Sequence, residues 1–214
     1  KRQTRPLVYQ ITAEAPRTDG NRIKKLGCGM QVVLFDIDGT LIDSDGAGRR
    51  AINRVFADLY GIEDALRTVQ LHGRTDPRII RDGFELSLKR TPSKAEIDKI
   101  IIGLVECLAV ELKNSPGYSI LPGVSEILSH LHNRNDILLG LQTGNAEAAA
   151  ELKLSHGKIW DFFRFGGFGS DSDLRPDVVA HAIRKAEKLL PLGERIEDVW
   201  VIGDTPDDIE AGKT

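Results

Sequence analysis

The sequence predicts an α/β fold: a parallel sheet covered by helices on both faces, with an α-helical module inserted after the first strand. Three observations carry this expectation. Apolar segments at 32–35, at 137–143 ("ILLGLQT") and at 198–204 ("DVWVIGD") read as strands buried on both faces. Helical segments, each with a single apolar stripe, separate the later strands, the pattern of a parallel sheet. Between residue 44 and about residue 116 no strand pattern appears, only helical stripes.

The 214 residues suit one large domain, or one domain carrying an inserted module, and can bury a sizeable core. Hydrophobic content of 41% and charged content of 29% are those of a soluble globular protein. A net charge of −3 provides no field to recruit nucleic acid or an anionic membrane. No apolar run reaches the roughly 18 residues of a bilayer span; the longest apolar helix, at 97–112, is interrupted by Glu106 and Glu111. Cys28 and Cys107 form no motif and are too few for a disulfide framework, so the expected compartment is the cytoplasm.

Residues 1–29 carry seven Lys or Arg against Glu14 and Asp19 and show no sustained helix or strand period. They lack the clear amphipathic face of a transit peptide and are read as a disordered or non-native extension. Met30, the only methionine, then reads as the natural start of the domain. The helical module at 44–116 has three stripes. Ala51, Ile52, Val55, Phe56 and Leu59 form the first; Ile79, Ile80, Phe84 and Leu88 the second; Ile97, Ile101, Leu104, Leu108 and Leu112 the third. At the start of the third, Thr91 is the N-cap before Pro92, or Ser93 and Glu96 form a capping box. The turn-rich "NSPGYSILPG" marks re-entry into the core, which is expected to comprise 30–43 and 117–214. There Val124, Ile127, Leu128 and Leu131 make one helical face. Val178, Val179, Ala182, Ile183 and Ala186 make another, with Pro176 near its first turn.

The chemistry-bearing residues follow the strands. Asp36 and Asp38 close the first, Thr143, Gly144 and Asn145 the second, and Asp204 and Asp208 the third. In open α/β sheets, ligands bind beyond the carboxyl ends of the strands. Two carboxylates so close repel unless a cation bridges them or one holds a proton. Mg2+ takes a few carboxylates, waters and a substrate phosphate. An aspartate can attack phosphorus, and a second acid can protonate the leaving alkoxide. Gly39 permits a tight turn, and Thr40 could orient a carboxylate. The hydroxyl of Thr143 and the amides after it can donate to a phosphate.

"FDIDGTLIDS" resembles the first signature of the haloacid dehalogenase-like hydrolases, an Asp-x-Asp-x-Thr following an apolar strand. The resemblance implies a Rossmann-like core, with Asp36 as the phosphoryl-accepting nucleophile and Asp38 as general acid and base. Thr143 in "LLGLQTGN" matches the second motif; Asp204 and Asp208 in "VIGDTPDDI" match the fourth. Asp36, Asp38 and Asp204 are thereby implied as Mg2+ ligands, with Asp208, or Asp207 in its stead, supporting them. The third motif ordinarily carries Lys; here the matching cation is Arg175 in "SDLRPDVV", whose guanidinium can bridge nucleophile and phosphate. The inserted helices match the cap of the phosphoglycolate phosphatase-like subgroup, making Arg49 or Arg50, Arg74 and Thr75 the cap candidates for substrate contact, with His72 a weaker one. Asp43 and Asp45 read as the hinge into that cap. Family members continue beyond the motif-four helix, so the core is expected to be cut short at its C-terminus.

The function so implied is a Mg2+-dependent phosphatase hydrolysing a small phosphorylated metabolite, with no nucleic-acid or membrane partner. The alternatives are a sugar-phosphate mutase similar to β-phosphoglucomutase and a catalytically weak metabolite-binding member. Asp38 argues against dehalogenation, and no cap lysine suits phosphonatase chemistry.

Overall fold

A computed structural model describes residues 7–12 and 29–213. In chain order these form β1 (Leu7–Thr12), β2 (Met30–Phe35), β3 (Ile42–Asp43), α1 (Ala47–Tyr60), α2 (Asp76–Leu88), α3 (Lys94–Lys113) and β4 (Ser119–Ile120). Then follow α4 (Val124–His132), β5 (Ile137–Gln142), α5 (Glu147–His156), β6 (Phe165–Gly167), α6 (Arg175–Glu187), β7 (Ile196–Gly203) and α7 (Pro206–Gly212). The main sheet has the order β1-β7-β2-β5-β6; β7, β2, β5 and β6 are mutually parallel.

Alternation along β2 produces the layers. Val33 and Phe35 pack with Val124 and Leu128 of α4, and with Ala150 and Leu154 of α5. Val32 and Leu34 pack on the opposite face with Val179, Ala182 and Ala186 of α6 and Ala211 of α7. Both faces are therefore covered, and polar groups gather where the strands end. The helices α1, α2 and α3 hold a separate apolar core around Phe56, Ile80, Phe84, Ile100, Leu104 and Leu108, joined by Ala146 and Ala149 at the start of α5. The chain leaves and re-enters the main body through the short antiparallel pair β3 and β4, where Ile42 lies opposite Ile120.

Several expectations change here. Residues 7–12 are not an unstructured extension: they pair antiparallel to β7, Leu7 opposite Gly203 and Thr12 opposite Asp198. "LVYQIT" is rich in residues of high strand propensity, and its pairing covers an otherwise open edge of β7. The rest of that expectation, at 1–6 and 13–28, lies outside the described residues. The β6 strand gave no periodic signal because it is three residues long and two are glycine. Ile127 is exposed rather than core, whereas Val124 and Leu128 are buried. Ile101 is only partly buried, with Ile100 filling the core position. Ser93, not Thr91, caps α3, in the reciprocal capping box with Glu96. No helix among the described residues is long and apolar enough to cross a membrane.

Candidate active site

At the end of β2 the Asp36 amide donates to Ile202 O of β7 at 2.8 Å, which sets the nucleophile candidate between the two strand ends. A tight turn follows: Ile37 O accepts the amides of Leu41 at 2.9 Å and Ile42 at 3.1 Å. Gly39 sits in it at φ +82°, and a Cβ there would lie 2.4 Å from Asp204 Oδ2. Only glycine allows Asp204 to come that close to the turn.

Carboxylate oxygens of Asp36, Asp204 and Asp208 all lie within 4.8 Å of one another. Asp204 Oδ1 is buried and accepts no hydrogen bond. Burial pushes Asp36 up to about 7; Arg175 pulls it down, while Asp208 and Asp38 push it further up. Asp204 is likewise raised, by burial and then by Asp208. An orphaned oxygen beside crowded, desolvated carboxylates is a donor set that fits a hard divalent cation.

Asp208 is fully buried. It receives Gln142 Nε2 at 3.1 Å, the guanidinium of Arg175, and both the amide and hydroxyl of Thr205, at 3.0 and 2.7 Å. It thus closes the capping box of α7 while anchoring Arg175, whose NH2 also donates to Gln142 Oε1 at 2.8 Å and lies 3.7 Å from Asp36 Oδ1. Burial works against the guanidinium charge, but Asp36 and Asp208 outweigh it and hold Arg175 as a cation. Asp207, the alternative for this role, is exposed and faces Gly73.

Asp38 stands apart from that cluster. Its Oδ1 accepts from Ser44 Oγ at 2.8 Å; its Oδ2 accepts from Asn145 Nδ2 at 2.9 Å and Lys153 Nζ at 2.6 Å. Burial alone would raise Asp38, but the Lys153 charge and these three donors hold it below the usual carboxylate range. Asn145 Nδ2 also donates to Thr143 Oγ1 at 2.9 Å, and the Asn145 amide donates to the same oxygen at 3.3 Å. Thr143 Oγ1 is therefore an acceptor twice over, which leaves its own proton to donate elsewhere. Thr40, expected to orient a carboxylate, has a buried hydroxyl with no partner.

The helical insert meets the core at this place. Asp76 N–H donates to Gly144 O at 2.7 Å, and Asp76 Oδ2 accepts the Ala146 amide at 2.8 Å. Thr75 Oγ1 donates to Asp173 O at 3.2 Å. A Cβ on Gly144 would come within 2.1 Å of Arg74 O, so the loop needs that glycine. His72 is exposed and partly offsets the upward shift of Asp204. Arg49 and Arg74 do not reach the core: Arg49 donates to Leu66 O at 3.1 Å, and Arg74 to Asp82 Oδ2 at 2.5 Å. Arg50 instead joins the start and end of the insert, through Glu111 at 2.8 Å, Ser115 and the carbonyl of Asp45.

Sequence reasoning missed Lys153 and Gln142. Lys153 had a legible signal, since it follows Ala149 and Ala150 on the buried stripe of α5, where an apolar residue would be expected. Gln142 had the weaker one of a polar residue ending an apolar strand.

Residues 30–214 match the family model of haloacid dehalogenase-like hydrolases. The chain is 23% identical over 201 residues to the phosphoserine phosphatase of Bos taurus, covering 89% of this chain and 81% of that protein. Among solved structures, CbbY from Rhodobacter sphaeroides in complex with phosphate superimposes with a TM-score of 0.55 at 22% identity, over 73% of this chain and 72% of that one. A haloacid dehalogenase-like family protein from Streptococcus pneumoniae does so with a TM-score of 0.51 at 20% identity, over 86% and 80%. With that family model matching residues 30–214, which form a helix-covered parallel sheet, this chain belongs to the haloacid dehalogenase-like hydrolases.

Proposed function

We propose that the protein is a Mg2+-dependent phosphatase that releases phosphate from a small phosphomonoester through an aspartyl-phosphate on Asp36. The observation that carries this reading is the cluster of Asp36, Asp204 and Asp208 with the unpartnered Asp204 oxygen, at the ends of β2 and β7. The family assignment and the phosphatase among the relatives support it. Asp36 and Asp204 would hold the cation; Asp208 is committed to Arg175 and Gln142, and the Asp38 side chain is engaged elsewhere. When bound, Mg2+ supplies positive charge that offsets the repulsion between these carboxylates and the phosphoryl group.

An Asp36 oxygen forms the new bond to phosphorus as the ester P–O bond breaks; the leaving oxygen takes a proton from Asp38, which must first take that proton from solvent because the Lys153 charge holds it ionised in the free site. Water then attacks the phosphorus of the acyl-phosphate, gives its proton to Asp38, and phosphate leaves. Arg175, fixed near Asp36, and the Thr143 hydroxyl donate to the phosphoryl oxygens. The helical insert acts as a cap, with its 72–76 loop beside Asp207 and Gly144, where it would exclude water and read the leaving group. The cytoplasm is the proposed compartment.

Purified protein assayed with p-nitrophenyl phosphate should turn over with Mg2+, lose activity with a chelator, and lose at least about a thousandfold in Asp36→Asn. Turnover that survives Asp36→Asn would overturn the mechanism. A panel of phosphorylated metabolites, scored for released phosphate and for isomerised sugar phosphate, separates a phosphatase from a mutase.

A further inference from the structure

Lys153 is 5% exposed, projects from α5, and has its ammonium 2.6 Å from both Asp38 Oδ2 and Asn145 Oδ1. A buried lysine is costly unless paired, so this side chain is held in one place. Its stem runs against α1 of the helical insert: a Cβ on Gly48 would sit 3.5 Å from Nζ. Arg175 is occupied with Asp208, Gln142 and Asp36, none of which Lys153 touches. The site therefore carries two cations with separate partners.

The donor count at Asp38 gives this division a consequence. An ionised carboxylate has about four acceptor positions, two on each oxygen. Lys153 and Asn145 fill both on Oδ2, and Ser44 takes one on Oδ1. One acceptor position remains, on Oδ1. We infer that Lys153 is a positioning residue which, with Asn145, occupies Asp38 Oδ2 and so directs proton acceptance to Oδ1, setting the rate at which the acyl-phosphate is hydrolysed. The inference rests on the aspartyl-phosphate reading and adds a residue outside the matched motifs. Proton transfer by a placed side chain contributes about 10²–10⁴-fold, and that contribution depends on its aim.

Rapid mixing with p-nitrophenyl phosphate separates the two chemical steps, because p-nitrophenol appears on forming the acyl-phosphate and steady turnover requires its hydrolysis. In Lys153→Met, which keeps the length of the stem, the ratio of burst rate to steady-state rate should rise at least about tenfold over the wild type. KM should change less than about threefold, and Lys153→Arg should keep the ratio within about threefold of the wild type. A residue that only fills space would slow both phases together and leave the ratio unchanged. If the Met variant does not fold, as judged by circular dichroism, Lys153→Gln provides the same comparison with a smaller expected rise. An unchanged ratio in the folded neutral variant, a rise in KM alone, or an equal rise in Lys153→Arg overturns the inference. Loss of Asp36-dependent turnover in the wild type would instead remove the reading beneath it, and the two failures are distinct.

Discussion

Arg175 and Asp208 form a buried ion pair beside the nucleophile candidate Asp36, although they come from the first turns of two different helices, α6 and α7. Gln142 bridges them, and Thr205 fills the remaining side of Asp208. The pair fixes both the cation near Asp36 and the start of α7. Breaking it leaves a buried, uncompensated charge, so Asp208→Ala should lower unfolding free energy by about 3–5 kcal/mol. Urea denaturation measures this; a loss under about 1 kcal/mol would show that the pair is not structural.

Gly39 and Asp204 make a second prediction. Gly39→Ala places a methyl group where Asp204 Oδ2 now lies and forces alanine to φ +82°. The backbone penalty is about 1–2 kcal/mol. The larger effect should fall on the metal, because Asp204 must move. Calorimetric titration with Mg2+ should show at least about tenfold weaker binding, a shift of about 1.4 kcal/mol. Unaltered Mg2+ affinity would mean Asp204 is not a ligand.

Asp76 is expected to make stability fall with rising pH. Burial raises its folded-state value to about 6, with Lys153 and the Ala146 amide pulling down and Asp38 pushing up. The folded protein thus binds the proton more tightly than the unfolded chain. The resulting penalty is absent below about pH 4, grows as pH rises to about 6, and is full above that, at roughly 1–3 kcal/mol. Asp76→Asn keeps an acceptor for Ala146 and removes the charge. Its melting temperature should exceed that of the wild type at pH 7.5, with the advantage shrinking by pH 4.5; a constant difference would refute the assignment.

Thr143→Val tests the free hydroxyl proton. Valine matches the shape of threonine but cannot donate, so turnover should fall about 10²–10³-fold. Thr143→Ser should retain most of it. Equal losses in both variants would place the role of Thr143 in packing rather than in donation.

Much of this molecule was legible because its signals are local. Apolar runs ending in acid or hydroxyl residues located β2, β5 and β7, and 3.6-residue stripes located the helices of the insert. The spacing of Asp36, Asp38, Thr143, Asp204 and Asp208 pointed to a single end of the sheet, since strand ends in a parallel sheet share one side.

Side-chain partnerships were not legible, because they join residues far apart in sequence. Arg49 and Arg74 looked free to meet a substrate, yet salt bridges and carbonyls within the insert claim them. Asp38 was expected as a metal ligand; nothing in the sequence showed that its carboxylate takes Lys153, 115 positions later, as a partner. The pairing of 7–12 with β7 likewise joins segments nearly two hundred residues apart. Sequence alone determined the fold class and the candidate acids and hydroxyl at the strand ends, since periodicity and motif spacing are written along the chain. Tertiary structure alone decided which charges neutralise one another, because burial compels each ion to take whatever partner the packing brings within reach.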